Sequence, residues 1–366
     1  MRAYVEVDLG AIAHNIAKVK SQTQAEILAV VKADAYGHGL VPVAQCALES
    51  GATYLGVALL EEALALRAAG IDAPTIAWLT PLGEDFERAI SQNIDLSVSS
   101  IALFEAILNA GARVGIKPRI HFEIDTGMHR GGVLGEWQEF LNFALAHRGK
   151  YELIGFWSHF ARADEPGESY TQLQLDAFDR ALAELKSSGL HPVIVHFANS
   201  AAALSLPTAH RQMVRLGIAM YGLSPDVTTM GSSQDLGLRP AMSVFAKLHL
   251  VKEIKAGDAV GYGGVGVAGT DTTIGIVVMG YADGLPRIAA ATTGVVHGQS
   301  RAPLIGRVSM DQCVVDLGPE SSAKAGDYVA VISAQGFSAD DWASAAGTIN
   351  YEIVTRIATR VARIYR

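Results

Sequence analysis

Two cysteines, Cys46 and Cys313, are all that the 366 residues contain. That is too few for a disulfide framework or a thiolate metal site, so a reducing, cytoplasmic setting is expected. An excess of positive charge is also missing: 29 Lys and Arg stand against 37 Asp and Glu, a formal net charge of −8. Nucleic-acid binding draws most of its affinity from a basic face, so no such partner is expected. The one basic cluster, Arg356, Arg360, Arg363 and Arg366, alternates with Ile357, Val361 and Ile364 and reads as a solvated face. No apolar run approaches the roughly 18 residues of a membrane helix. The first ten residues carry Glu6 and Asp8 and lead into no apolar segment, so neither membrane nor secretion is expected. His121, His159 and His196 have neither helical i, i+4 spacing nor cysteine partners, and no metal is expected.

What is present is an ordinary globular composition, 50% apolar and 18% charged. A chain of this length exceeds what one core serves, which favours two domains. Short apolar runs predict parallel strands over 27–32, 54–57, 75–77, 96–98, 120–123, 153–157, 194–197 and 214–216. Amphipathic stretches lie between them, such as Leu9, Ile12, Ile16 and Val19 behind a possible N-cap at Asp8. The alternation predicts a (β/α)8 TIM-type barrel over 1–230. A stretch rich in Ser, Thr, Gly and Asp, 224–237, reads as a linker. Beyond it, alternating runs between 243 and 332 predict a mainly antiparallel β domain over 231–366, with residues 1–10 a candidate to pack with it. A helix is expected near 340–346.

Two segments carry the first chemical pointers. Lys32 stands in residues 31–39, VKADAYGHG, where the first barrel strand ends, the face on which such barrels place active sites. A lysine there can form a Schiff base with an aldehyde cofactor if burial lowers its pKa from about 10.4. Phosphate in such barrels commonly rests on the loops after strands seven and eight. Those loops hold Asn199 and Ser200, and Arg215 with Gly217 and Ile218.

The run VKADAYGHG resembles the cofactor-lysine signature of the alanine racemases. The likeness continues through Asp125-Thr126-Gly127-Met128, Ser158-His159-Phe160, Asn199-Ser200, Arg215 with Gly217-Ile218 and Tyr221, Gly280-Tyr281-Ala282-Asp283-Gly284, Ser309-Met310-Asp311-Gln312 and Asn350-Tyr351-Glu352. This resemblance implies a pyridoxal 5'-phosphate-dependent isomerase of fold type III, a homodimer with shared active sites, and a role supplying D-alanine for peptidoglycan. It implies that L- and D-alanine are interconverted on a pyridoxal-phosphate aldimine by two bases, Lys32 and Tyr262. Tyr36, Asn199, Ser200, Gly217, Ile218 and Tyr351 are implied to bind the cofactor. Arg215 is implied to meet the pyridine nitrogen and leave it unprotonated, because guanidinium is effectively always charged. His159 is implied to orient Arg215, Arg130 and Met310 to bind the substrate carboxylate, and Tyr281 and Asp311 to support the site or its entrance. A bulky aromatic at Tyr351 favours a small substrate side chain.

Departures from the family pattern are few. Several members carry a carbamylated lysine where this chain has Glu123, which is expected to pair with Arg130 directly or through a water. His129 stands where glycine is common, Leu216 and Ala362 where proline is, and Ser309 where cysteine is. The competing readings are a racemase of different specificity, such as serine, a fold-type III amino-acid decarboxylase, and a non-catalytic cofactor carrier. The decarboxylases use a catalytic cysteine in an acidic context, whereas Cys313 follows Met310-Asp311-Gln312.

Overall fold

The computed structural model describes residues 1–289 and 291–366. Their contacts separate into two compact units. One comprises residues 12–35 and 40–239; the other comprises 1–11, 36–39 and 240–366.

The first unit is a closed barrel of parallel strands β2 (Glu26–Val30), β3 (Tyr54–Leu59), β4 (Thr75–Leu79), β5 (Asp95–Val98), β6 (Arg119–Glu123), β7 (Glu152–Trp157), β8 (Ile194–His196) and β9 (Met213–Leu216), β9 pairing back to β2. All eight predicted strands are present. Six of the eight are apolar along most of their length because helices cover one face while the barrel interior fills the other, whereas β5 carries Asp95 and Ser97 and β6 carries Arg119, His121 and Glu123. The helix Ile101–Val114 shows how local sequence sets the bounds. Ser100 accepts a hydrogen bond from the Leu103 amide at 3.3 Å, and Gly115 ends the helix in the left-handed conformation at φ 69°. Asp8 likewise caps the helix Leu9–Lys20, accepting from the Ala11 amide at 2.9 Å.

One expectation about the first barrel strand needs correction. β2 stops at Val30, and Lys32 opens a left-handed turn: Ala33, Asp34, Ala35 and Tyr36 all have φ of 53–54°. None is glycine, and the left-handed region costs an L-residue roughly 1–2 kcal/mol. Side chains hold the turn in place. Glu62 accepts from the Ala33 amide at 2.6 Å, and Asp34 accepts from the Leu40 amide at 2.8 Å. Strain stored this way characteristically marks a functional segment.

The barrel interior also holds polar groups. His121 on β6 is fully buried and lies against Gly155 on β7; a Cβ at Gly155 would run into the His121 imidazole. Gly155→Ala is therefore expected to cost roughly 1–3 kcal/mol by overpacking, read as a lower midpoint of urea unfolding. An unchanged midpoint would mean that His121 is free to move aside.

The second unit is mainly antiparallel. Its central strand, β10 (Met242–Ile254), pairs with Tyr328–Ile332, Thr272–Val277 and β1 (Ala3–Val7); β1 in turn pairs in parallel with Ala362–Tyr365. The predicted helix runs Ala339–Ala346, capped by Ser338. Three arginines of the cluster, Arg356, Arg360 and Arg366, are exposed as a solvated face requires, and the half-buried Arg363 is the exception. Arg363 donates to the carbonyls of Gly37, Ile357, Ala358 and Val361, and Arg360 bridges Asp283 at 2.6 Å and Asp311 at 2.7 Å. Arg356 pairs with Glu352 at 3.0 Å and Arg366 with Glu6 at 2.8 Å. An apolar–basic alternation looks the same whether its cations meet water or backbone carbonyls; only the fold supplies those acceptors.

Among the described residues no helix is long and apolar enough to cross a membrane. No group of three or more His, Cys, Asp or Glu that could hold a metal ion occurs among them either.

Candidate active site

Residues following the carboxyl ends of the barrel strands form one electrostatic neighbourhood. Burial lowers the Lys32 ammonium from its ordinary value, and the charges of Arg130 and Arg215 lower it further, against an opposing pull from Glu62. A lysine in this setting more readily presents a neutral, nucleophilic amine near neutral pH.

Arg215, at 3% exposure, lies in the interior on β9. Burial pulls its guanidinium down to about 9, with Glu123 supporting the charge and Arg130 opposing it, so it stays cationic at pH 7. Nη2 donates to the Ser158 carbonyl at 3.0 Å and to His159 Nδ1 at 3.0 Å. Nη1 donates to the His196 carbonyl at 3.3 Å and to His196 Nδ1 at 3.4 Å. The guanidinium also lies over the Trp157 ring, 5.1 Å from its centroid. Burial, with Arg215, Arg130 and Lys32 adding to it, holds His159 well below the usual histidine range, so it meets Arg215 as a neutral acceptor.

Glu123 ends β6. Burial pushes its carboxyl up to about 7, Arg215 and Arg130 pull it down, and Asp125 adds to the rise. Arg130 acts on Glu123 through its charge, and among the described residues no ion pair joins them, which leaves the water-mediated form of the expected pairing. His129, where glycine is common in the family, takes φ 57° and pairs with Asp125 at 3.3 Å. The left-handed backbone there explains a preference for glycine.

Because its folded-state pKa is raised, Glu123 favours the folded chain fully only below about pH 4.5, and that contribution is lost as pH rises through about 7. Glu123→Gln removes the ionisation. The variant is expected to gain stability relative to the parent between pH 5 and 8, measured by denaturant unfolding at both; a pH-independent difference would contradict the raised carboxyl.

The loops after β8 and β9 meet through Ser200. Its hydroxyl oxygen accepts from the Gly217 amide at 2.9 Å and the Ala219 amide at 3.3 Å. Asn199, not Ser200, caps the helix Ser200–Ser205, accepting from the Ala202 amide at 3.0 Å. Ile218 is buried beside them.

The second unit carries the other predicted residues. Tyr36 is buried, and its ring centroid lies 6.2 Å from that of Tyr351. Tyr262 is 71% exposed at the head of a short 3-10 turn between Gly261 and Gly263, whose φ values of 76° and 74° require glycine. Gly280-Tyr281-Ala282-Asp283-Gly284 packs against Ser309-Met310: the Tyr281 amide donates to the Ser309 carbonyl at 3.0 Å and the Ala282 amide to the Met310 carbonyl at 2.9 Å. A Cβ on Gly280 would strike those carbonyls, so the two motifs are one structure. The Met310 side chain is 55% exposed, and Asp311 is tied to Arg360.

Glu62 and Asp95 belong to no motif in the sequence, and His121 and His196 lack the spacing of metal ligands. All four act through contacts distant in sequence. The Ala35-Tyr36-Gly37 context offers no local signal for a left-handed turn, and Glu62 sits in an unremarkable helix start.

Family models described as "Alanine racemase, N-terminal domain" and "Alanine racemase, C-terminal domain" match residues 7–225 and 241–365. An alanine racemase from Salinispora tropica is 45% identical over 372 residues, spanning 100% of this chain and 98% of its own. Among solved structures, the alanine racemase of the D-cycloserine producer Streptomyces lavendulae superposes with a TM-score of 0.97 at 43% identity, covering 100% of this chain and 97% of its own. That of Streptomyces coelicolor A3(2) gives 0.96 at 42% identity, with 100% and 98% covered.

Proposed function

This chain belongs to the alanine racemase family and is an isomerase, and from that premise we propose that it interconverts L- and D-alanine with pyridoxal 5'-phosphate and two proton-transferring residues. The observation that carries the reading is the buried Lys32, its ammonium disfavoured by burial and by Arg130 and Arg215, just past the carboxyl end of β2. When bound, pyridoxal phosphate supplies an electron-withdrawing ring that makes the α-proton of an attached amino acid removable.

The donor set fits that group: a lysine that can be neutral, a buried guanidinium, and a hydroxyl with backbone amides where two loops meet. Lys32 holds the cofactor and moves a proton on one face of the substrate. Tyr36, Ser200, Gly217, Ile218 and Tyr351 hold the phosphate, with Asn199 fixing the helix that presents Ser200. Arg215, which stays cationic at pH 7 and is oriented by His159, would meet the ring nitrogen without giving up a proton to it. A ring left unprotonated in this way would be a weaker electron sink, which would limit side reactions. Arg130 and the Met310 backbone bind the alanine carboxylate, with Glu123 supporting Arg130 through a water and Tyr281 and Asp311 framing the approach.

The exposed Tyr262 is the second base, donated to the other face by a second copy of the chain in a homodimer with shared sites. The barrel thus binds cofactor, and the β domain supplies the proton donor. In a cytoplasmic setting the product supplies D-alanine for peptidoglycan. Incubation with L-alanine in deuterated water tests the reaction: optical rotation is expected to decay as deuterium enters Cα. Release of carbon dioxide instead would replace this reading with a decarboxylase.

A further inference from the structure

Behind Arg215, a row of buried polar groups crosses the barrel interior through β8, β6 and β5. His196 Nδ1 faces Arg215 Nη1 at 3.4 Å, His196 Nε2 faces His121 Nδ1 at 3.0 Å, and His121 Nε2 faces Asp95 Oδ2 at 3.1 Å. Asp95, His121 and His196 are all 0% exposed. At the far end Arg119 clamps Asp95, with Nε on Oδ1 at 2.6 Å and Nη2 on Oδ2 at 3.2 Å, and Tyr54 donates its hydroxyl to the same carboxylate.

The protons in this row have one consistent arrangement. Guanidinium nitrogens only donate, so His196 Nδ1 accepts and carries no proton. His196 is then neutral, with its proton on Nε2, which donates to His121 Nδ1. His121 must therefore carry its proton on Nε2, and that proton meets the Asp95 carboxylate. Every bond points from Arg215 toward Asp95. Burial raises the Asp95 carboxyl, but the hydrogen bond from His121 and the hydrogen bonds and charge of Arg119 outweigh it and keep Asp95 ionised; burial, with the charge of Arg215 adding to it, keeps His196 well below the usual histidine range.

We propose that Asp95, through His121, is a positioning residue for the reaction: it locks His196 in the tautomer that accepts from Arg215 and so holds the guanidinium in place. Two features show a built row. Gly155 leaves the space that seats His121, and Trp157 stacks on His196 with ring centroids 5.8 Å apart at 5° while also lying under Arg215. Were His196 to carry its proton on Nδ1, two donors would face each other in a buried site, and Arg215 would lose one of its four acceptors.

The inference rests on the reading that Arg215 faces the cofactor ring, so its test has an arm independent of that reading. Nitrogen-15 spectra of the purified protein labelled at histidine, assigned by difference against His121→Gln and His196→Gln, are expected to show both imidazoles as single Nε2–H tautomers. A proton on Nδ1 of either ring overturns the proposal, whatever the activity. In Asp95→Asn, His196 is expected to lose its single tautomer, and kcat to fall about 10- to 100-fold, the range over which partners that orient an imidazole act. KM for alanine is expected to change little, because Arg215 does not hold the carboxylate. An unaltered His196 spectrum with unaltered kcat overturns the proposal. Should Asp95→Asn fail to fold, the parent spectra and His121→Phe decide: the phenylalanine breaks the row, and His121→Gln, which can accept and donate, is expected to restore part of kcat. Absence of a bound chromophore in the parent would instead count against the cofactor reading and leave the tautomer result standing.

Discussion

Lys32→Ala is expected to lower racemase activity on the order of 10⁴-fold or more, the scale seen when a covalent nucleophile is removed. Two functions would disappear together, the bond to the cofactor and proton transfer on one face, so the loss is expected in kcat rather than KM. The fold should tolerate the change. Lys32 is held with its ammonium disfavoured by burial and by Arg130 and Arg215, and the left-handed turn that follows is secured by Glu62 and Asp34 on backbone amides, not by the lysine side chain. An unfolding midpoint at or above that of the parent is therefore expected. Borohydride should fix pyridoxal phosphate onto residue 32 of the parent and onto nothing in the variant. Activity within tenfold of the parent would remove Lys32 from the chemistry.

Tyr262→Phe is expected to cost about 10²- to 10⁴-fold, the usual contribution of one positioned proton-transfer group. The substitution removes a single oxygen from a 71% exposed ring in a turn set by Gly261 and Gly263, so stability should be unaffected. A two-base arrangement makes a sharper demand. With one base left, exchange of the α-proton with solvent should persist for one enantiomer far better than for the other, whereas a single-base enzyme would slow both equally. The exposure of the phenol on the lone chain fits donation to a second copy. Mixing Lys32→Ala with Tyr262→Phe subunits should then restore activity, one intact site per heterodimer. Verified heterodimers without activity would place Tyr262 outside the partner's site.

Much of this architecture was legible residue by residue. Most of the barrel strands announce themselves as short apolar runs because strands buried on both faces are filled mainly by apolar side chains. Asp8 bounds its helix through a hydrogen bond made within three residues of itself, which is why that cap is legible in a linear reading. The family motifs also lie in short contiguous runs, so Lys32, Arg215 and Tyr262 could be singled out in advance.

Other features have no local trace. Ala33 to Tyr36 hold left-handed dihedrals without one glycine, a conformation imposed by Glu62 from 29 residues away. Arg363 has the sequence context of a solvent-facing cation, and only the fold brings the Gly37, Ile357, Ala358 and Val361 carbonyls to it. Asp95, His121, His196 and Arg215 come from four strands and gain meaning only as neighbours across the barrel, their partners lying 19 to 75 residues apart. Local periodicity and capping act over one or two turns of chain, and so the order of elements could be read from the sequence alone. Burial, backbone strain and the direction of a buried hydrogen-bond row depend on which distant groups share a low-dielectric interior, and only the closed barrel decides that.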